Sequence, residues 1–236
     1  MPAPRLDCAP LLSGWPPFAQ LPPAEQLELR RTAHARLLRR GQFLWQAGDR
    51  AGHFMLIHHG LIKIVRPRAD GQDAIVGIFG PGESIGDSAV VQQAPYPAAA
   101  VVSSRGAAVL QIPAPALLRA MRQSPPVSLA VQQVLLAHTR TLREKIEILS
   151  AGSVAQRLAR LLLYLAERFG EAPDAAAWRM PLAISRAEMA ALAGTTVETT
   201  IRMLSRWRRQ GLIARAPAGG ILLPRPERLR QMQPES

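Results

Sequence analysis

Apolar residues between positions 37 and 113 occur in short runs of four to seven residues, separated by glycine, proline and an Asp-Gly pair. Runs of this length between turn residues are typical of antiparallel strands, and Asp70-Gly71 suits a hairpin turn. Several such strands in succession predict an all-β sandwich or barrel. The runs lie in LLRRGQFLWQAGD (37–49), HFMLIHHGLIKIVRP (53–67), DAIVGIFGPGESIGD (73–87) and AAAVVSSRGAAVLQIP (98–113).

Helical patterns lie on both sides of this β region. The chain up to about residue 20 is rich in proline and is expected to be extended, whereas residues 22–36 fit a short amphipathic helix that begins with a proline. A much longer helix is predicted after Pro125-Pro126. Its apolar seam, at alternating steps of four and three residues, consists of Leu135, Thr139, Leu142, Ile146 and Leu149.

The seam has the a/d spacing by which a helix pairs with a second copy of itself. We therefore expect a homodimer, and the alternative is that the seam packs on the chain's own β domain. Ala151-Gly152-Ser153 interrupts the helical pattern and is a candidate hinge, since glycine weakens a helix by about 1 kcal/mol relative to alanine. A further amphipathic helix over 154–169 and a loop over 170–178 are expected to follow.

Two short helices joined by a tight turn are predicted in SRAEMAALAGTTVETTIRMLSRWRRQGL, near the end of the chain. Ser185 with Glu188, and Thr195 with Glu198, have the S/T-x-x-E spacing of a capping box. In that arrangement the hydroxyl accepts from an orphan backbone N–H and the acid reaches back to the cap. Gly194 suits the left-handed position that ends the first helix.

The second of these helices is rich in arginine. Two helices with a glycine turn and a basic second helix describe a helix-turn-helix whose recognition helix enters the major groove. The alternative is an ordinary surface hairpin of helices with one charged face. The tail, LIARAPAGGILLP, has two short apolar segments around Gly219-Gly220 and predicts a β-hairpin wing. The arginines are Arg202, Arg206, Arg208 and Arg209.

The charge of the chain favours a polyanionic partner. Its 236 residues carry a formal net charge of +12, almost all from arginine, because Lys63 and Lys145 are the only lysines. Such an excess is what binding to DNA requires. A hydrophobic content of 48% argues for a globular protein.

A single cysteine, Cys8, limits the possible cofactors and cross-links. It excludes an internal disulfide and a four-cysteine zinc or iron–sulfur site within one chain. The proline-interrupted N-terminus does not resemble a secretory signal, and no run approaches the ~18 apolar residues of a membrane span. We expect a cytoplasmic protein without a membrane partner.

The order of β-roll, long helix, helix-turn-helix and wing resembles the bacterial cyclic-AMP receptor/fumarate-nitrate regulator (CRP/FNR) superfamily of transcription factors, over about residues 18–223. The most specific segment is VETTIR (197–202). Other matching residues are Gly48-Asp49, Gly60, PGESIGD (81–87), Arg157-Leu158-Ala159 through Leu165, and Leu204.

The resemblance implies an α+β fold in three parts. The first is an N-terminal antiparallel β-roll, a jelly-roll like those that bind cyclic nucleotides, as the sensor domain over 1–124. A dimerisation helix over 125–150 and a winged helix-turn-helix DNA-binding domain over 151–236 would follow.

By the same resemblance, Glu198 and Arg202 would read bases. They are one helical turn apart and share a face; arginine can donate twice to guanine, and glutamate can accept from cytosine N4. Alternatively, Glu198 is only a capping acid. Val197 stands where the cyclic-AMP receptor branch has arginine, which favours a TTGA-type half-site, and Ile201 departs from the usual serine. The expected DNA-binding residues are Thr196, Glu198, Thr199, Ile201, Arg202 and Arg206.

The resemblance also argues against two signals. Cyclic AMP would need an arginine-serine pair where this chain has Pro97-Ala98-Ala99, and hydroxyl side chains where it has Leu142-Arg143; a phosphodiester without its arginine loses a charge-assisted contact. The oxygen-sensing branch needs four thiolates, which Cys8 cannot supply. An unidentified effector, a small molecule or a gas, is expected in a pocket of Gly86, Asp87, Ser88, Pro97, Ala98, Leu142 and Arg143.

Three possibilities remain for the sensor: haem with nitric oxide, a small organic ligand, or no ligand. A haem would use one of five histidines as its axial ligand. A cupin-like metalloenzyme is the alternative function, but its histidines would lack the usual H-x-H alternation, so we do not expect an enzyme. The expected partners are double-stranded DNA, a second copy of the chain and RNA polymerase. The histidines are His34, His53, His58, His59 and His138.

Overall fold

The computed structural model describes residues 15–67, 73–174, 177–180, 184–216 and 220–232. Contacts divide the chain into two compact units, Met1–Thr139 and Arg140–Ser236, with the boundary inside one long helix. Cys8, the predicted turn at Asp70-Gly71 and Gly219 of the predicted wing lie outside the described residues.

The described part of the first unit contains eight strands in the region that the sequence predicts to be all-β. They are β1 (His34–Arg39), β2 (Phe43–Trp45), β3 (His53–His59), β4 (Ile62–Pro67), β5 (Asp73–Phe79), β6 (Ser84–Ile85), β7 (Ala99–Val102) and β8 (Gly106–Pro113). Two four-stranded antiparallel sheets result, with the orders β1-β8-β3-β6 and β2-β7-β4-β5. The predicted antiparallel β-roll is confirmed.

Strand β3 shows why its middle, residues 54–57, is apolar at every position. Phe54 and Leu56 belong to one core cluster, which also contains buried residues of the helices. Met55 and Ile57 belong to a second cluster, which contains residues of both sheets. Because successive side chains point to opposite faces, a strand buried on both sides must be apolar throughout, and each such side chain contributes about 1.5–3 kcal/mol.

Five helices accompany the sheets in the described residues. They are α1 (Pro16–Ala19), α2 (Pro23–Thr32), α3 (Asp87–Gln92), α4 (Ala114–Gln123) and α5 (Pro125–Ser150). The long helix predicted after Pro125-Pro126 is therefore confirmed as α5. Helices α3 and α4 were not expected from the sequence.

Two N-terminal predictions are wrong. Residues 16–19 form a helical turn instead of an extended segment, because Trp15 and Phe18 are buried in the core, Phe18 fully. The first amphipathic helix ends at Thr32 instead of residue 36, because Ala33 is extended and the next six residues pair with β8 as β1. Long-range pairing therefore overrides the local helical pattern there.

The second unit contains the helix-turn-helix and a small sheet. Its elements are α6 (Val154–Phe169), β9 (Glu171–Asp174), β10 (Ala177–Met180), α7 (Arg186–Leu192), α8 (Val197–Arg209), β11 (Ala214–Arg215), β12 (Ile221–Leu223) and α9 (Pro226–Arg230). The sheet is antiparallel in the order β11-β12-β10-β9. The predicted wing is confirmed as β11 and β12.

The loop predicted over 170–178 is wrong, since most of it forms β9 and β10. Strand β10 pairs with β12, so the wing supplies a partner that a short polar segment lacks in isolation. The predicted interruption of the long helix is observed: α5 ends at Ser150, and α6 begins after Ser153, whose side chain and Gln156 form a capping box. Whether this break acts as a hinge stays a prediction. No helix among the described residues is long and apolar enough to cross a membrane.

Candidate nucleic-acid interface

The first helix of the predicted pair begins as the sequence indicates. Ser185 Oγ accepts from the backbone N–H of Glu188 at 3.1 Å, and a Glu188 carboxylate oxygen accepts from the backbone N–H of Ser185 at 2.7 Å. The capping box at the start of α7 is therefore confirmed.

The turn after α7 also has the predicted geometry. Gly194 has φ of +59°, in the left-handed region that glycine favours. The backbone N–H of Thr195 donates to the carbonyl of Ala190 at 3.0 Å, the long bond of a Schellman motif. The chain thus reverses within a few residues and starts α8 directly.

The cap of α8 is one residue later than the sequence predicts. Thr196, not Thr195, is the N-cap, and its Oγ1 accepts from the backbone N–H of Thr199 at 3.2 Å. The N–H of Thr195, which a capping box with Glu198 would need as its donor, instead closes the preceding turn. The predicted capping box of Thr195 with Glu198 is therefore wrong, and no described residue forms a hydrogen bond or ion pair with Glu198.

The buried side chains of α8 determine which of its other side chains are exposed. Thr200, Leu204 and Trp207 are buried at spacings of four and three, which is the stripe expected of a helix that packs on a core. Thr199 and Met203 are half-buried, and the Thr199 hydroxyl oxygen accepts a hydrogen bond from the Thr196 hydroxyl at 3.1 Å. The exposed side chains include Thr196, Glu198, Ile201, Arg202, Ser205, Arg206 and Arg209.

One basic residue near this face, Arg186, was not predicted from the sequence. Arg186, in the first turn of α7, lies close enough to Arg208 of α8 for their charges to interact. Partial burial and the positive charge of Arg208 both lower the pKa of Arg186. Since like charges repel, an anion at this place would stabilise the pair.

The expected effector residues of the first unit cluster around a buried acid. Asp87 is 1% exposed, and it accepts from Ser84 Oγ at 2.5 Å and from the backbone N–H of Ser88 at 2.7 Å. His138 of α5 places Nδ1 3.4 Å from Asp87 Oδ2 and Nε2 3.1 Å from the Ser84 carbonyl oxygen. Gly86, with φ of +77°, precedes α3. The Asp87 carboxylate is thus satisfied by the protein itself.

Pro97 and Ala98 lie beside an aromatic pair. The Trp45 and Tyr96 rings stack at 4.1 Å, and Trp45 Nε1 donates to the Ala98 carbonyl at 2.8 Å. Tyr96 in turn donates to the His53 carbonyl at 2.7 Å. Neither Pro97 nor Ala98 offers a side-chain donor for a phosphate.

The other expected effector residues, Leu142 and Arg143, are exposed on α5 in the second unit. No group of three or more His, Cys, Asp or Glu side chains among the described residues could hold a metal ion. Of the five histidines, His58 and His59 are exposed at the end of β3, and the rings of His34 and His53 lie 6.2 Å apart. The ring nitrogens of His138 face Asp87 and Ser84.

Comparison with known proteins agrees with this architecture. The family model described as cyclic nucleotide-binding domain matches residues 35–124, and that described as Crp-like helix-turn-helix domain matches residues 156–232. The transcriptional activator protein anr of Pseudomonas aeruginosa is 28% identical over 179 residues, 76% of this chain and 72% of its own. The CRP-like cAMP-activated global transcriptional regulator of Mycobacterium tuberculosis is 27% identical over 190 residues, 80% of this chain and 84% of its own.

Solved structures share the fold. FixK2 from Bradyrhizobium japonicum superposes with a TM-score of 0.74 at 21% identity, covering 86% of this chain and 98% of that one. A β-roll, a long helix and a winged helix-turn-helix with a basic outer face together define a DNA-binding transcription regulator. The chain belongs to the CRP/FNR superfamily, and the relatives named above are regulators and not enzymes.

The observed cap makes a prediction that separates two neighbouring threonines. Thr196→Ala is expected to lower the free energy of unfolding by about 1 kcal/mol, because the Thr199 N–H loses its acceptor. Thr195→Ala, the matched control, should change it by less than about 0.5 kcal/mol. Urea unfolding of the full chain without DNA measures both. An equal or larger loss for Thr195→Ala would contradict the observed cap.

Proposed function

We propose that the protein is a homodimeric transcription regulator that binds a palindrome with TTGA-type half-sites about one helical turn apart. The observation that supports this most is the outward face of α8, where Glu198 and Arg202 are exposed one turn apart. The bound dimer is expected to act with RNA polymerase in the cytoplasm.

The carboxylate of Glu198 can contact a base because it is not needed for capping. Thr196 caps α8 alone, and Glu198 has no hydrogen-bond partner among the described residues. A free carboxylate can accept from cytosine N4, while Arg202 can donate twice to a guanine. This removes the competition between a capping role and a reading role.

Two apolar residues on the same face support a TTGA-type half-site. Val197 is 36% exposed and Ile201 is 48% exposed, at the start of α8 and one turn further on. Neither side chain has a hydrogen-bond donor for a guanine, so Val197 cannot read the second guanine that an arginine at its position would contact. Both can touch a thymine methyl group.

Arg202 and Arg206 are expected to differ in the kind of binding that they support. Arg202→Ala should lose about 1–3 kcal/mol of discrimination against a changed guanine. Arg206→Ala, the matched control, should weaken binding to all sequences alike and reduce the dependence on salt, as a phosphate contact does. Affinities for a TTGA palindrome and for singly changed sites measure both. Unchanged selectivity in Arg202→Ala would contradict its role as the reader.

The seam of α5 supports a dimer. In the single chain, Leu142 is 57% exposed, Ile146 is 64% exposed and Leu149 is 44% exposed. Leu135, at the other end of the seam, instead packs against the core of the first unit. A second copy would cover the exposed part, because a two-fold axis brings the same residues together from both chains.

Ile146→Ser tests this arrangement. Ile146 is exposed in the single chain, so its replacement should leave the monomer stable but remove about 1.5–3 kcal/mol of apolar burial per copy in the dimer. We expect the dimer dissociation constant to rise at least about tenfold in sedimentation experiments. Leu37→Ser, at a residue of β1 that is 58% exposed and outside the seam, is the control. If the two variants dissociate alike, the seam is not the interface.

We further propose that the signal at the β-roll is not cyclic AMP. The Asp87 carboxylate is buried and already accepts from Ser84 and Ser88, with His138 beside it. Pro97 and Ala98 supply no donor for a phosphate, which would therefore be desolvated without compensation. An effector that acts here would instead have to alter the contact between Asp87 and His138 of α5.

Cyclic AMP at about 1 mM should leave the DNA affinity unchanged within about twofold. A ligand shifts an equilibrium only when it binds one state preferentially, and cyclic AMP is not expected to bind here. The Mycobacterium tuberculosis relative, described as cAMP-activated, provides the positive control in the same fluorescence-anisotropy assay. A tenfold or greater increase in affinity would overturn this part of the proposal.

A further inference from the structure

Arg157, near the start of α6, joins three separate carbonyl groups. Its Nε donates to the Ala193 carbonyl at 2.8 Å, and one terminal nitrogen donates to the Gly194 carbonyl at 3.3 Å. The other terminal nitrogen donates to the Gly152 carbonyl at 2.9 Å. One side chain therefore connects the turn of the helix-turn-helix to the segment between α5 and α6.

The acceptors explain why an arginine stands here. The carbonyls of Ala193 and Gly194 follow the last turn of α7, where helical carbonyls lack intrahelical donors and the helix dipole favours a positive charge. The guanidinium is planar and carries five N–H donors in a fixed fork. A lysine ammonium would keep the charge but could not hold three acceptors in this fixed geometry.

Other contacts of the turn point to the same segment. A Cβ added at Gly194, as in an alanine, would lie 3.2 Å from Leu149 Cδ2, so the turn packs closely on the end of α5. Leu149 belongs to the seam by which two copies are proposed to pair. Gly194 and Arg157 therefore both connect the end of the dimer seam to the turn that precedes the recognition helix α8.

We propose that Arg157 is a positioning residue that fixes the recognition helix relative to the end of the dimerisation helix, and so sets the half-site spacing that the dimer accepts. It does not contact DNA itself. This inference rests on the proposed function, because a spacing preference exists only for a dimer that binds two half-sites at once.

The test compares binding to three DNA molecules: the TTGA palindrome, the same palindrome with one base pair inserted between the half-sites, and a palindrome with the reader guanine changed. One inserted base pair moves a half-site by about 3.4 Å and rotates it by about one tenth of a turn. Arg157→Lys and Arg157→Gln are compared with wild type. Arg160→Gln, one turn further along α6 at a residue that pairs with Glu147, is the matched control.

Wild type and Arg160→Gln should lose about tenfold or more in affinity on insertion of the base pair. Both Arg157 variants should lose less than about threefold, while their discrimination against the changed guanine stays within about twofold of wild type. Each result is a ratio of two affinities from one protein sample, so a smaller folded fraction does not alter it. A merely structural role would lower the melting temperature and leave both ratios unchanged.

Three outcomes would overturn the inference. Arg157 variants that keep the wild-type spacing penalty show that the fork does not set the spacing. A uniform loss of affinity with a salt dependence reduced by about one charge would make Arg157 a phosphate contact. If wild type itself shows no spacing preference, the proposed dimeric function fails first, and that result is distinct from the other two.

Discussion

Burial of one stripe on α8 is the constraint on which the interface depends. Thr200, Leu204 and Trp207 are nearly inaccessible to solvent, and removing a large apolar side chain from such a site typically costs 2–5 kcal/mol. With these positions committed to the core, the helix cannot rotate about its axis. The side chains on the opposite face are therefore presented to a partner in one orientation, which is a precondition for reading a sequence.

The polar groups of the two units differ in their exposure. In the second unit, Glu198 and Arg202 are exposed, so their hydrogen-bonding capacity is available to a partner. In the first unit, Asp87 is buried and its oxygens are occupied by neighbouring groups. A buried carboxylate is tolerated only when it is paired or hydrogen-bonded. The contact with His138 therefore stabilises one placement of the first part of α5, up to Thr139, on the β-roll.

Local patterns predicted most of the fold, and the failures share a cause. The strands, the long helix, the cap at Ser185 and the turn at Gly194 are encoded by nearby residues, and the structure agrees with them. The end of α2, the fully buried Phe18 and the strands β9 and β10 depend on partners far along the chain. Sequence periodicity carries no information on such partners, so those elements were misassigned.

In the candidate site, too, some features could be predicted from the sequence and others could not. The spacing of Glu198 and Arg202 on one helix was readable from the sequence. The shift of the cap from Thr195 to Thr196 was not, because both threonines have suitable chemistry and only the folded backbone, which brings the Thr199 N–H to Thr196 Oγ1, distinguishes them. The three hydrogen bonds of Arg157 could not be predicted either, since two of its acceptors are main-chain carbonyls 36 and 37 residues away along the chain.

The place of Glu198 at the start of α8 has an electrostatic consequence for its proposed role beside a phosphate backbone. Glu198 lies in the first turn of α8, where the aligned peptide dipoles create a positive potential of roughly half an elementary charge. That potential offsets part of the repulsion between the carboxylate and DNA. In the proposed complex, the helix end can therefore hold an acidic reader at the surface of a polyanion, and the acid would favour sites that offer a cytosine amino group over those that do not.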